Sequence, residues 1–314
     1  MRRSLAGQRR FAVDWTEWGA LGGIAVSGAL LGWLCQRHPA RLPAIAPWEF
    51  FWPDYVAIAV ALWWYLEGLR RTRPEHRPSW GRRACFITGL ASIYAVVLTH
   101  FLYAAEHTFV LHRVQHLVLH HLGPFLIVLA WPGGVMERGM PDWALRLIRS
   151  GPVRRACAPM RHPTLAASLF VGLIVVWVYP PVQLRMMLDS RLFEVADWTM
   201  VVEGIFFFWL VLDPRPTPPS GLSYAGRIVL VLSVQIPQIA LGGLLAVAPG
   251  DLYPWYDLCG RVFPAIGARA DQQMGAFVVL FLGGMMSAVA ALIVLGRLWR
   301  AEEQTGAADA LPGL

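Results

Sequence analysis

Five of the nine histidines in this 314-residue chain lie within fifteen consecutive positions, from His107 to His121. If a helix begins near His112, then His112, His116 and His120 are spaced i, i+4, i+8 and lie along one face. Neutral imidazole is the commonest protein metal ligand and suits copper, zinc and iron. The spacing therefore predicts a metal or haem site built from His107, His112, His116 and His120, without identifying the metal. The alternative is a set of interfacial histidines that bond only to one another, to water and to nearby side chains.

Four polar residues are candidate outer partners of these ligands. His100 precedes the cluster, Gln115 lies beside it, and Asp271 and Gln272 open a later apolar segment. Histidine ligands commonly donate their second N–H to such partners. Asp271 has a second interpretation, because a carboxylate also suits the N-terminus of a helix.

Two further features concern the membrane itself. Glu203 lies inside an apolar segment, so we expect it to face the bundle interior and pair with an arginine or a histidine. Tyr253, Trp255 and Tyr256 form an aromatic loop, which we interpret as part of an interfacial aromatic belt.

The elements that must position these residues are transmembrane helices. The chain is 56% hydrophobic and only 15% charged, with a mean hydropathy of +0.49, whereas soluble domains are about 25% charged. Apolar stretches of roughly 20 residues, the length of a membrane-spanning helix, recur along it. Eight segments are predicted to span the membrane: 15–35, 48–67, 84–105, 113–131, 164–182, 195–212, 227–248 and 274–296. The sequence thus predicts an all-α polytopic bundle, with a single membrane domain over residues 1–300 and a flexible cytoplasmic tail over 301–314.

The basic residues indicate the orientation. All 27 are arginines, and cytoplasmic loops carry the excess of positive charge. With eight spans, 20 arginines fall on one face. The opposite face has seven: Arg37, Arg41, Arg113, Arg185, Arg191, Arg261 and Arg269. Both termini are therefore predicted to be cytoplasmic, and the histidine cluster is predicted to face the periplasm of a bacterial inner membrane.

The same pattern excludes other classes of protein. The arginines lie between apolar spans and not on one amphipathic face, which argues against nucleic-acid binding. The four cysteines form no C-x-x-C pair, which argues against a dithiol copper chaperone or a zinc module.

Several motifs resemble those of a known family. The run from His112 through Gln115, His116 and Pro124 resembles the H-M-x-Q-H…P-L-L…G-x-P segment of the CtaG family of cytochrome c oxidase assembly factors. Other motifs agree in order over about residues 95–295: His162-Pro163, Phe207-Phe208-Trp209 before Pro214, Leu252-Tyr253-x-x-Tyr256, and Asp271-Gln272-Gln273-x-Gly275.

This chain departs from the family pattern at several positions. Arg113 stands where the motif has methionine, and Tyr179 where the family commonly has a histidine. A further histidine pair falls where this chain has Glu194, Asp197 and Glu203. The resemblance therefore implies either a reduced ligand set or carboxylates in place of those histidines, which would suit Cu(I) less well.

The resemblance implies a non-enzymatic assembly factor that assists copper delivery to a haem–copper oxidase. Its expected partners are the lipid bilayer, oxidase subunits or a periplasmic copper chaperone. Two alternatives remain open: a haem-binding redox subunit with His100 and His116 as axial ligands, and a structural partner subunit that binds no metal.

Overall fold

The computed structural model describes residues 15–218 and 220–309, which are 80% helical and contain no strand. The helices of the first half are α1 (Trp15–Arg37), α2 (Trp52–Arg71), α3 (Trp80–Val97), α4 (His100–Glu106), α5 (Phe109–Leu117), α6 (Gly123–Leu129), α7 (Gly133–Gly139), α8 (Asp142–Ile148) and α9 (Gly151–Cys157). Those of the second half are α10 (Pro163–Val178), α11 (Pro180–Leu188), α12 (Ser190–Val211), α13 (Tyr224–Ser233), α14 (Gln235–Val247), α15 (Trp255–Cys259), α16 (Ala268–Phe277) and α17 (Gly283–Asp309). Short 3₁₀ turns occupy Pro39–Arg41, Pro74–His76 and Pro159–Arg161. The predicted all-α class is confirmed.

Among the residues that the structure describes, three continuous helices are long and apolar enough to cross a membrane: Thr16–Arg37, Tyr224–Val247 and Ala268–Gln304. Three bent pairs raise the number to six if each pair is one span: α3 with α4 at 55°, the α5–α6 helix with α7 at 81°, and α10 with α11 at 73°. The helices α2 and α12 lie at the two remaining predicted segments, with 20 and 22 residues. The chain is therefore a helical membrane bundle, while the number of eight spans and the cytoplasmic termini stay predictions.

The outer surface of the bundle is apolar. Val26, Leu244 and Val247 are each about 70% exposed. Side chains of this kind are compatible with lipid, whereas a water-facing patch of this size would be unusual for a monomeric soluble protein. Buried phenylalanines, including Phe170, Phe207 and Phe208, form the interior between α10, α12 and α6.

The helix that carries the histidines lies inside the bundle. Together, α5 and the turn that follows it contact α3, α4, α12 and α16. The chain between α5 and α6, Val118–Leu122, is a π-helical turn, and the N–H of Gly123 bonds to the Val118 carbonyl five residues back. A π turn widens the helix just before Pro124, which has no N–H to donate. A second π turn, Val278–Leu282, joins α16 to α17.

The C-terminal helix is longer than the predicted eighth span. It continues to Asp309, so the segment from residue 301, expected to be a flexible tail, begins as a continuation of α17. Residues 310–314 lie outside the described residues, and the predicted cytoplasmic tail stays a prediction.

Candidate functional site

The centre of the candidate site is the pair His112 and His116 on α5. The spacing of four residues places the two rings on the same side of the helix, as predicted. Their Nε2 atoms lie 3.0 Å apart, and the rings meet edge to face with centroids separated by 4.5 Å. Both side chains are buried. Two imidazole nitrogens therefore converge on one point inside the bundle.

A chain of hydrogen bonds from two other segments orients this pair. On α11, Gln183 Nε2 donates to the Tyr256 hydroxyl over 2.8 Å, and that oxygen lies 2.7 Å from His112 Nδ1. The tyrosine hydroxyl can donate to His112 Nδ1 or accept from it, and one of the two Nε2 atoms of the pair donates to the other. Gln183 and Tyr256 thus hold the His112 ring in the position that brings it against His116.

The next two histidines lie in the π turn and have other partners. His120 Nε2 lies 2.9 Å from a carboxylate oxygen of Glu203 on α12, and His121 Nε2 donates to the amide oxygen of Gln238 on α14 over 3.2 Å. His120 therefore has a carboxylate partner that His112 and His116 lack, while it lines the same cavity as His116. Its role as a third ligand beside that pair stays a prediction. The expectation that Glu203 faces inward and pairs with a histidine is confirmed.

His107 and His100 are separated from this pair. His107 lies at the end of α4, where its Nδ1 is 2.7 Å from the Tyr103 carbonyl oxygen and its ring packs on the Tyr103 ring. His100 packs against Trp48, with ring centroids 4.6 Å apart. Neither histidine contacts His112 or His116 in the described part of the chain, because α4 and α5 are distinct helices with a turn at His107 and Thr108.

The carboxylate of Asp271 binds the backbone at the start of α5, the helix that carries the histidine pair. Its two carboxylate oxygens accept the N–H groups of Phe109 and Val110, each over 2.8 Å, and Arg261 pairs with it at 2.5 Å. Asp271 thus caps α5, although it follows the capped residues by more than 160 positions in the sequence. It does not cap its own helix, α16. The expected cap of its own helix is therefore wrong, because the carboxylate reaches the start of α5 instead. Its role as an outer partner of the histidine ligands stays a prediction.

The glycine of the D-Q-Q-x-G motif has a packing reason. A β-carbon on Gly275 would overlap the Phe109 ring and touch the Arg113 side chain. The absence of a side chain lets α16 approach α5 closely enough for Asp271 to reach the start of that helix. In the same motif, Gln272 accepts the Leu252 N–H over 2.8 Å and donates to the Leu245 carbonyl, which anchors the chain after α14.

The other two candidate carboxylates, Glu194 and Asp197, lie on α12, which packs against the π turn that follows α5. Gln115 Nε2 donates to Asp197 Oδ2 over 3.3 Å, and Asp197 also lines a small cavity with Asp54. Glu194 is half-buried one turn earlier. Asp197 thus lies in the bundle interior, although within the described residues no three histidine, cysteine, aspartate or glutamate side chains converge as a metal site.

Sequence reasoning missed three members of the site. Gln183 directly follows one predicted span and Gln238 lies inside another, and the cost of burying an amide in a membrane was the available signal. The third is Tyr256, which with Tyr253 was assigned to an interfacial belt. That interpretation is wrong for both: they are fully buried, and Tyr253 donates its hydroxyl to the Val178 carbonyl at 2.9 Å.

One comparison with known proteins gives a match. The family model described as cytochrome c oxidase caa3 assembly factor matches residues 63–301, which extends the resemblance of residues 95–295 at its N-terminal end and slightly at its C-terminal end. No curated protein and no solved structure matches the chain.

Proposed function

This chain belongs to the family of cytochrome c oxidase caa3 assembly factors, and on that premise we propose that it assists copper delivery to a haem–copper oxidase in the bacterial inner membrane. The proposal assigns the copper contact to His112 and His116. It assigns no catalytic role, since an assembly factor hands over its cargo and is not required for the oxidase reaction itself.

The observation that supports copper as the cargo is the convergence of His112 and His116. Their Nε2 atoms, 3.0 Å apart, are close enough to bind one ion at the metal–nitrogen distances of about 2.0–2.1 Å that imidazole makes. Imidazole nitrogen suits copper. With both Nε2 atoms facing the ion, the His112 proton would be on Nδ1, where the Tyr256 hydroxyl oxygen can accept it.

A donor set of two is appropriate for delivery. Structural metal sites hold their ion with four protein ligands, whereas sites that exchange a ligand keep a position open. The two-histidine pair leaves positions for a donor from the protein that gives or receives the ion. The predicted carboxylate replacements at Glu194, Asp197 and Glu203 have other neighbours, which favours a reduced set over a carboxylate-rich one.

The proposed direction of delivery is periplasmic. The arginine distribution supports this orientation, because the loops that carry most of the arginines are on the side opposite the start of α5. In this orientation the copper chaperone or oxidase subunit that exchanges the ion approaches from the periplasm, at the end of the bundle where Asp271 caps α5.

The test is Cu(I) binding by detergent-purified protein in competition with a chromophoric chelator. We expect one copper per chain for the wild type. In the His112→Ala/His116→Ala double variant we expect the copper affinity to fall by more than the 10–100-fold that is typical of removing an outer partner. The matched control is His76→Ala, since His76 is exposed on a short turn. The single variant His116→Gln keeps a polar group at the position and serves if the double variant does not fold.

A deletion strain tests the cellular role independently. We expect reduced oxidase activity and copper content, restored by the wild-type chain and not by the double variant. Normal metallation of the oxidase in the deletion strain would contradict the proposal. Full complementation by the double variant would point instead to the structural-partner alternative, and a Soret band in the purified protein would point to haem.

A further inference from the structure

Arg113 is a buried cation that directly follows His112 in the sequence. Only 2% of Arg113 is exposed. All three of its guanidinium nitrogens lack a hydrogen-bond partner among the described residues. Its guanidinium carbon lies 5.0 Å from the centroid of the Phe109 ring. Because arginine stays protonated in proteins, a full positive charge lies inside the bundle beside the histidine pair.

The carboxylates that reach α5 and its π turn have other partners. Asp271 caps α5 and pairs with Arg261 at 2.5 Å, so this ion pair has no net charge to offer. Glu203 lies 2.9 Å from His120, and Asp197 accepts a hydrogen bond from a neutral amide of α5. In the part of the chain that the structure describes, no ion pair neutralises Arg113.

Arg113 and the histidine pair are also neighbours in space. Arg113 and His116 line the same cavity of about 30 Å³, which has room for little more than a water molecule or a single ion. The charge of Arg113 acts on the rings of both His112 and His116. A fixed positive charge therefore lies near the point where an ion held by the two Nε2 atoms would bind.

A fixed charge repels a bound cation in proportion to the charge of that cation. Two unit charges about 10 Å apart, at an effective dielectric constant of about 20, repel each other enough to weaken binding roughly tenfold. For a doubly charged ion the repulsion energy doubles, so the factor is squared to roughly a hundredfold. Imidazole suits both copper and zinc, so the two ligands alone do not make this distinction.

We propose that Arg113 makes the pair of His112 and His116 selective for singly charged Cu(I) over divalent ions such as Zn²⁺. This inference rests on the proposed function, because it assigns a charge state to the copper that the pair would carry. Arg113 is not a ligand in this proposal and acts on the ion through space. The same repulsion weakens the hold on Cu(I) itself, which suits an ion that must be passed on.

The experiment compares the affinities of the detergent-purified full-length chain for Cu(I) and for Zn²⁺, each in competition with a chromophoric chelator. Relative to the wild type, we expect Arg113→Leu to bind Cu(I) about tenfold more tightly and Zn²⁺ about a hundredfold more tightly. The preference for Cu(I) over Zn²⁺ should thus fall about tenfold. Leucine has no donor atom, so the variant removes the charge without adding a ligand.

Two matched variants separate the charge from other effects of the substitution. Arg113→Lys keeps the positive charge, and we expect it to keep the wild-type preference for Cu(I). Arg191→Leu removes an exposed arginine at the start of α12, and we expect both affinities to be unchanged. If Arg113→Leu does not fold, Arg113→Gln removes the charge while keeping a polar side chain, and the same change in preference is expected.

The dependence on the charge of the ion decides the outcome. If neutral variants at Arg113 change both affinities by the same factor, the residue acts only on the packing of the site and the inference is overturned. Copper binding by the wild type, with an unchanged preference in Arg113→Leu, would overturn this inference and leave the proposed function intact. Binding of neither ion by the wild type would overturn both.

Discussion

The Nε2 atoms of His112 and His116 face each other 3.0 Å apart within the membrane bundle. One turn of α5 brings the two rings together, while Tyr256 and Gln183 from distant segments orient the His112 ring. The pair is therefore prepared by local helix geometry and oriented by tertiary contacts. Each of these supports can be removed separately by a single substitution.

The first prediction concerns the Tyr256 hydroxyl. Tyr256→Phe removes a buried hydrogen-bond partner from both His112 Nδ1 and Gln183 Nε2, so we expect the free energy of unfolding to fall by about 1–3 kcal/mol. Thermal unfolding in detergent measures the change. The control is Tyr179→Phe, whose side chain is 57% exposed, and we expect its midpoint to match the wild type. Equal midpoints for the two variants would show that the hydroxyl is unimportant for stability.

The second prediction concerns the cap of the histidine helix. Asp271→Ala removes the acceptor for the N–H groups of Phe109 and Val110 and leaves Arg261 without this partner. We expect faster hydrogen exchange at those two amides and a loss of stability of about 3–5 kcal/mol, the cost of breaking a buried ion pair. Asp271→Asn keeps one acceptor oxygen and is expected to recover part of the loss.

A suitable control for the cap is Asp142→Ala, because Asp142 is exposed in the first turn of α8 and makes no capping hydrogen bond. We expect no change in exchange at Phe109 or Val110 in that variant. Unaltered exchange at these amides in Asp271→Ala would mean that the carboxylate does not hold the start of α5.

The third prediction concerns the close approach of α16 to α5. In Gly275→Ala the new methyl group overlaps the Phe109 ring, so the helices must separate or the ring must turn. Overpacking of this kind costs about 1–3 kcal/mol, measured as a lower unfolding midpoint. The control is Gly243→Ala on α14, where a β-carbon meets nothing within 4 Å. If both alanine variants unfold at the same temperature, the close contact at Gly275 is not limiting.

The fourth prediction concerns pH and the loop after α12. Burial alone would raise the pKa of Asp213, because it favours the neutral acid. The Arg215 side chain and backbone donate hydrogen bonds to the carboxylate, and the charges of Arg215 and Arg227 also favour the ionised form. Together these interactions outweigh burial and lower the pKa of Asp213. The folded-state pKa is therefore below the unfolded one, near 3.9. The stabilisation is present above that unfolded value and is lost as the pH falls through the folded pKa.

Asp213→Asn checks this sign. We expect the variant to unfold at a lower temperature than the wild type at pH 7, and the difference between the two midpoints to shrink when the pH is reduced below about 4. The Arg215 partner is half exposed, so the difference at pH 7 should be modest. A difference between the midpoints that does not depend on pH would contradict the prediction.

The sequence alone determined the features that depend on neighbours along the chain. Apolar stretches of membrane length placed a helix at each of the eight predicted segments, because a bilayer demands both a minimum length and internally bonded backbone. The contact between His112 and His116 follows from the helical repeat alone. The inward orientation of Glu203 followed from the cost of a carboxylate in lipid.

Only the tertiary structure decided the partners. Tyr256 and Gln183 reach His112 from segments 144 and 71 residues away, and no local pattern encodes which helices pack side by side. Glu203 meets His120 because α12 approaches the π turn closely, where a β-carbon on Gly204 would overlap the His120 carbonyl. Helical periodicity is set by backbone hydrogen bonds within a few residues, whereas the distances across the bundle are set by how whole helix surfaces fit together.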